Sequence, residues 1–385
     1  MKRICFLTDS IFSVGGVQRV TAVIAKELSK TDEVTIVTFD EPSAQDTTIY
    51  GLGEANINYR FFQYPKVNCR KWKALKVYSL LYRKLLPQTR PFSRLYTHSS
   101  FPSEQRQALA AELQQGHYDT IIGVHAPLAV RLASCREQLE GVRLVGWIHN
   151  SYEALFGKGS TYIGPELRRY YEYMLEQLDQ TVVLSKDDAR KYPFPTHVIY
   201  NPLTLQPGQP SKGQSKKFLA VGRFSHLHKG FDLLIKAFHL FAQHNKEWTL
   251  DIVGEGVEEP LYRKYIKEYQ LQERIHIHPF TNNIQQYYHE AQAYVLSSRW
   301  EGFGLVLVEA MAHGLPIISS NLPTSKEIMG DFGLYFVNGD VNGMARQMHA
   351  ATQLDWNSTS RKAIEIAHRF NLETISRHWQ QIIEA

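Results

Sequence analysis

Cysteine is scarce in this 385-residue chain: Cys5, Cys69 and Cys135 are odd in number and far apart. That argues against a disulfide framework and against a zinc site, and makes a reducing cytoplasm the simplest compartment. Long apolar runs are missing as well, so no bilayer-spanning segment is expected. The apolar start Ile4 to Leu7 is too short for a signal-peptide core before Thr8 and Asp9 follow. No G-x-G-x-x-G follows the first apolar run, which removes the fingerprint of a Rossmann dehydrogenase. Asp-x-Asp occurs nowhere, so a familiar carboxylate clasp for a metal-bound diphosphate is absent. Acidic residues, finally, vanish between Ala55 and Ser103, where Arg60, Lys66, Arg70, Lys71, Lys73, Lys76, Arg83, Lys84, Arg90 and Arg94 are all basic.

What is present is ordinary for a folded protein, with 43% hydrophobic and 21% charged residues and a formal net charge of +5. The length is too great for one α/β domain and comfortable for two of about 150 to 200 residues each. Pro193 to Gln214, rich in proline, Gly, Ser and Gln, has the composition of a linker. The expected division is therefore 1–195 and 196–369, with an amphipathic 370–385 segment carrying Ile375, Trp379, Ile382 and Ile383 on one side.

The most informative stretch is 293–319. Ala293 to Leu296 reads as a buried parallel strand, Leu305 to His313 as a helix that Gly314 caps and Pro316 stops, and Pro316 to Ile318 as the next strand. Gly302-Phe303-Gly304 delivers the chain to the helix start at Leu305. Free backbone N–H groups and the positive end of the helix dipole make that point suitable for a phosphate. Glu301 in the loop and Glu309 in the helix frame it. A carboxylate can hold a vicinal diol such as a ribose or steady a developing positive charge; a helix-start charge and a solvated helix face are the plainer readings.

Glu301-x7-Glu309, with Gly302-Phe303-Gly304 after the first and Ala310-Met311-Ala312-x-Gly314-x-Pro316 after the second, resembles the signature of the retaining GT-B glycosyltransferases of family 4. The resemblance implies an α/β fold of two Rossmann-like doubly wound domains facing across a cleft, the C-terminal helix crossing back to the first. It also implies that Glu309 binds the ribose of a nucleotide sugar and that Glu301 sits at the donor sugar. Val221-Gly222-Arg223 followed by Lys229-Gly230 fits the same family, implying Arg223 and Lys229 as a diphosphate clamp. Two cations can stabilise a nucleoside diphosphate leaving group without a metal. The intervening His226-Leu227-His228 is a less usual insertion. The family resemblance places the base along the Gly254 and Phe280 turns, Gly15-Gly16 opposite the diphosphate and His149 near the donor sugar.

The first domain reads more loosely. Arg3 to Leu7 is a first strand, Val17 to Leu28 a helix with Gly15-Gly16 at its entry, Glu33 to Thr38 a second strand, and organisation then weakens to about Tyr64. Tyr118 to His125 and Leu144 to His149 are strands that each end in histidine, where doubly wound sheets bind ligands. In the acid-free segment Trp72, Leu75, Val77, Tyr78, Leu80, Leu81, Tyr82, Leu85 and Leu86 interleave with the cations, as in a basic amphipathic helix at a membrane interface. Nucleic-acid binding or a merely solvated face is the alternative.

The expectation is a metal-independent, retaining hexosyltransferase with no cofactor. It moves a sugar from a UDP-sugar, or less readily a GDP-sugar, to a lipid-linked or cell-surface polysaccharide. It works in the cytoplasm against the anionic inner face of the membrane through 60–94, and binds no nucleic acid. A catalytically silent sugar-nucleotide-binding subunit is the alternative, against which the intact Glu301, Glu309, Arg223 and Lys229 argue.

Overall fold

A computed structural model describes residues 1–225 and 227–384; His226 of the insertion noted above lies outside the described residues. The chain forms two compact units, Met1–Asn201 with the helix Leu372–Glu384, and Pro202–Asn371. The linker composition placed the first division after Pro195. It falls later because His197–Val198 forms a strand that pairs with Gln180–Val183 of the first sheet.

The first sheet is parallel throughout. Its strands are β1 (Arg3–Thr8), β2 (Glu33–Thr38), β3 (Ile57–Phe61), β4 (Thr120–Val124), β5 (Arg143–Trp147), β6 (Gln180–Val183) and β7 (His197–Val198), in the order β3-β2-β1-β4-β5-β6-β7. β1 and β4 are buried almost end to end, as strands covered on both faces require. β3, by contrast, is a half-exposed edge strand whose mixed residues Ile57-Asn58-Tyr59-Arg60-Phe61 hid it from periodicity. Helix α1 (Gly16–Leu28) buries Val20, Ile24 and Leu28.

The amphipathic helix Leu372–Glu384 joins this unit because its apolar stripe has a partner there. Trp379, fully buried, meets Trp147 at 4.6 Å between ring centroids, and Arg143 donates to the Ile382 carbonyl at 3.2 Å. Truncating an enclosed Trp of this kind to Ala removes about 3 to 5 kcal/mol.

The helix expected over Trp72 to Leu86 is present, but the acid-free segment holds more than that one helix. It breaks at Pro87 into α2 (Cys69–Lys84) and α3 (Arg90–Ser100), which pack together through Tyr82 stacked on Tyr96 at 4.4 Å. Nor is it left without acid partners. Arg60 pairs with Glu112, Lys71 with Glu104, Arg83 with Glu166 and Arg90 with Glu176, all from outside the segment.

The second unit repeats the plan with β8 (Lys217–Val221), β9 (Thr249–Val253), β10 (Ile275–His278), β11 (Ala293–Leu296), β12 (Ile317–Ser320) and β13 (Leu334–Phe336), ordered β10-β9-β8-β11-β12-β13 and parallel. Its core gathers Phe218, Phe238, Phe241 and Trp248. In each sheet the order reverses at one place, between β1 and β4 and between β8 and β11. Crevices for ligands open beyond the carboxyl ends of strands at such switch points. The loops after β8 and β11, which carry Arg223, Lys229 and Glu301, flank the second of them.

Candidate active site

Backbone packing brings these two loops together. Gly230 has φ +65°, and a Cβ there would stand 2.1 Å from the Ser297 carbonyl oxygen, so only glycine admits the approach. Ser297 Oγ then donates to the Lys229 carbonyl at 2.6 Å. Arg299 forks onto Asp232 with two bonds of 2.8 Å and also donates to the Leu227 carbonyl. His228 lies flat on Trp300, 4.7 Å between centroids, with its Nε2 on the Trp300 carbonyl. The less usual His228 thus acts as a brace between the loops.

At the centre Lys229 Nζ donates to Glu301 Oε1 at 2.6 Å, and Ser298 Oγ donates to the same oxygen at 2.6 Å. Glu301 is buried. Burial alone raises its pKa, but the charges of Lys229 and His228 and the bonds from Lys229 and Ser298 outweigh it and leave the carboxyl below its ordinary value. His228 is shifted down, chiefly by burial. The Lys229 stem runs across Gly222, where a Cβ would meet Lys229 Cγ, Cδ and Cε at 2.8 to 3.0 Å. Arg223 is exposed and has no carboxylate partner among the described residues. The two clamp candidates therefore differ: one cation is held by Glu301, the other is open to solvent.

Phe303 is buried against Phe370, 5.7 Å between centroids, which fixes the turn beside the half-buried Gly302. Gly304, at φ +88°, turns the chain into the helix Leu305–Ala312, whose start has no side-chain cap. Inside that helix Glu309 is almost fully buried. Tyr288 donates to its Oε2 at 2.9 Å and Thr204 to its Oε1 at 3.5 Å, while His313 Nδ1 bonds the Glu309 carbonyl at 2.7 Å and stacks on Tyr288. Both glutamates act electrostatically on the buried Tyr294 hydroxyl, which burial already keeps protonated.

Gly254 has a packing reason of its own. At φ +156° a Cβ there would lie 2.0 Å from the Gly222 carbonyl, and Gly256 presses on the Phe224 carbonyl in the same way. The loops after β8 and β9 are interlocked. Phe280 stands beyond β10, 45% exposed.

The remaining predicted residues lie in the first unit. Gly15 caps α1, and its N–H is engaged by Tyr50 Oη at 2.8 Å, whereas Gly16 is exposed. His149 lies two residues past β5, buried between Trp147 at 4.3 Å and His125 at 5.4 Å, with no bond to Nε2 among the described residues. Burial first, then the His125 charge, keeps it well below its usual pKa. His125 holds a left-handed φ of +74° at the end of β4. Sequence reading missed Tyr288, Thr204 and Ser298. Their bond partners lie 21, 105 and 3 residues away, and only Ser298, flanking the motif, gave any local signal. Among the described residues no group of three or more His, Cys, Asp or Glu could hold a metal ion.

Two switch-point crevices, with cations, glycine turns and buried carboxylates gathered at the second, define a sugar-transferring enzyme of the GT-B class. Full-length likeness supports that fold: HepE of Anabaena, solved with UDP and glucose, superposes with TM-score 0.75 over all of both chains at 20% identity. Residues 14–206 match the family described as Glycosyltransferase Family 4 and 204–369 that described as Glycosyl transferases group 1; the chain belongs to this glycosyltransferase family. An uncharacterised glycosyltransferase of Haemophilus influenzae is 29% identical over 328 residues, 83% of this chain and 81% of its own length. The amylovoran biosynthesis glycosyltransferase AmsD of Erwinia amylovora is 30% identical over 174 residues, 44% of this chain and 48% of its own.

Proposed function

We propose that this glycosyltransferase moves a hexose or N-acetylhexosamine from its UDP derivative, with GDP-sugars second, to a lipid-linked or cell-surface polysaccharide, with retention of configuration and without a metal. The observation that carries the reading is the set Lys229, Glu301 and Ser298 closed at 2.6 Å beside the open cation Arg223. The UDP and glucose of HepE support the donor, and the name of AmsD supports a polysaccharide product.

In the proposed reaction the bond from the anomeric carbon to the diphosphate breaks, and its electron pair stays on the phosphate oxygen. Arg223 and Lys229 neutralise that charge, together with the N–H groups at the start of helix Leu305–Ala312. An ammonium has three donors, so Lys229 can keep Glu301 while reaching a phosphate. Glu301 orients the sugar and steadies its oxocarbenium character. The acceptor oxygen bonds the same face that the diphosphate leaves, and its proton passes to the departing phosphate. Double displacement would instead require Glu301 on the opposite face. Glu309 holds the ribose hydroxyls, and Gly302, Phe303, Gly254 and Phe280 border the nucleotide.

The test is to offer UDP- and GDP-sugars in excess EDTA and follow nucleotide release and product anomer. Release from a UDP-sugar with retained configuration is expected. Release only after Mn²⁺ or Mg²⁺ is added, or an inverted product, would end the reading.

A further inference from the structure

The proposed function makes no use of the insertion at 226–228, yet His228 stands next to its central ion pair. Two rungs at consecutive positions join the loops after β8 and β11. Lys229 to Glu301 is one, at 2.6 Å; His228 to Trp300, one residue earlier on both loops, is the other. His228 grips the facing loop with backbone and side chain alike. Its carbonyl accepts from the Arg299 N–H at 2.8 Å, and its ring lies 14° from parallel to the Trp300 indole, with Nε2 2.5 Å from the Trp300 carbonyl oxygen. The preceding residue is held from other sides. Leu227 keeps a left-handed φ of +51° while its N–H donates to Glu258 at 2.8 Å and its carbonyl accepts from Arg299. A conformation that costs energy persists only where its surroundings enforce it, and such enforcement gathers at functional sites.

The bond to Trp300 also fixes the tautomer. A carbonyl only accepts, so Nε2 carries hydrogen and Nδ1 is the basic nitrogen of the neutral ring. The charges around that ring oppose one another. Burial disfavours protonation most, Glu301 favours it, and Lys229 and Arg223 oppose it, which leaves His228 below its ordinary pKa and uncharged at neutral pH. Of the charges beyond, Glu258 is engaged by Leu227, and Arg299 is neutralised by Asp232. A nucleoside diphosphate drawn in by Arg223 and Lys229 reverses the balance. It offsets the two cations that keep a proton away and brings negative charge of its own. A protonated ring lying flat on an indole is favoured further by the negative face of the indole.

We infer that His228 is a positioning residue of the transfer reaction: through Trp300 it holds Glu301 against Lys229, and it takes a proton from solvent onto Nδ1 when the diphosphate of a sugar nucleotide enters. The empty loop avoids a further cation beside Lys229 and Arg223, and the filled loop gains one as negative charge arrives. The inference rests on the donor half of the proposed function, not on the acceptor.

The test is calorimetry on the full chain with UDP-glucose, UDP-N-acetylglucosamine and GDP-mannose, whose diphosphates do not titrate near neutral pH. Two buffers of different ionisation enthalpy separate proton uptake from the heat of binding. At about pH 6 native protein should take up to about one proton per bound donor, and the donor should bind on the order of tenfold tighter than at about pH 8. His228→Gln keeps an N–H for the Trp300 carbonyl but cannot take a proton, so both effects should vanish in it. His228→Leu loses the bond as well. At about pH 8 the Leu variant should release nucleotide about tenfold more slowly with KM little changed, and the Gln variant should restore most of that rate. Thermal melting checks that each variant is folded. Donor binding by native protein with no buffer dependence, proton uptake that survives in the Gln variant, or a Leu variant as fast as native would each overturn the inference and leave the proposed function standing. So would a Gln variant no faster than Leu. If none of the three donors binds, the donor half of the proposed function fails and the inference with it.

Discussion

Glu301 and Glu309 sit eight residues apart, both deeply buried, and their surroundings differ in kind. Glu301 is balanced by a full positive charge on Lys229, with Ser298 assisting. Glu309 is met by the hydroxyls of Tyr288 and Thr204, which orient the carboxylate. The contrast separates two ways of keeping a carboxylate inside a protein. An ion pair keeps it charged and electrostatically coupled to whatever approaches; hydroxyls keep it aimed.

The largest effect should come from breaking the pair. Lys229→Met leaves Glu301 buried without its cation, which costs about 3 to 5 kcal/mol of stability, and Lys229→Met with Glu301→Gln should recover much of it. Urea unfolding of the native protein and these two variants reads this directly, and equal stability of single and double variants would show that the pair is idle. Acid sharpens the point. The folded Glu301 pKa lies below its unfolded value near 4.5, so the pair's stabilisation is present above that pH and fades as pH falls through the lower folded value. The stability gap between native protein and Glu301→Gln should therefore narrow on acidification. A gap that widens would reverse the sign and the assignment.

Arg223 makes a clean counterpart because it has no carboxylate partner to strand among the described residues. Arg223→Ala should slow turnover about a hundredfold while stability moves by less than about 0.5 kcal/mol, as for an exposed side chain serving developing charge. A comparable loss of stability would place Arg223 in the structure rather than in the reaction. Glu309→Ala should weaken donor binding by about 1.5 to 3 kcal/mol, the worth of hydrogen bonds to a charged group. Calorimetry with UDP isolates this, and unchanged affinity would remove Glu309 from the ribose. The smallest effect belongs to Tyr288→Phe, about 1 kcal/mol in the same titration, since it frees the carboxylate to turn without removing it. An effect as large as that of Glu309→Ala would mean that aim counts for as much as presence.

How much of this was legible beforehand depends on whether the controlling contact is local. The helix at Leu305, the turn at Gly304 and the strands around them follow from glycine and apolar patterning within one stretch, and the structure has them nearly where the sequence puts them. The pairing of Lys229 with Glu301 spans 72 residues and left no mark on either stretch. Composition was incomplete in the acid-free segment for the same reason. A window sees only its own charges, whereas Glu104, Glu112, Glu166 and Glu176 arrive from elsewhere and neutralise four of the ten cations. β3 was missed because an edge strand needs no continuous apolar face. Gly254 shows that one residue can satisfy two readings: it was singled out for a nucleotide base, and its lack of a side chain is already demanded by the Gly222 carbonyl.

The contact of Trp379 with Trp147 also orders events during synthesis. A ribosome emits the first sheet early, but the helix Leu372–Glu384 that seals it emerges only after all of Pro202–Asn371. The second unit, although translated later, has its whole core available sooner. Domains ordinarily mature from the amino end onward; here the unit begun first is finished last, and until then Trp147 lacks its cover and is a natural contact for a chaperone.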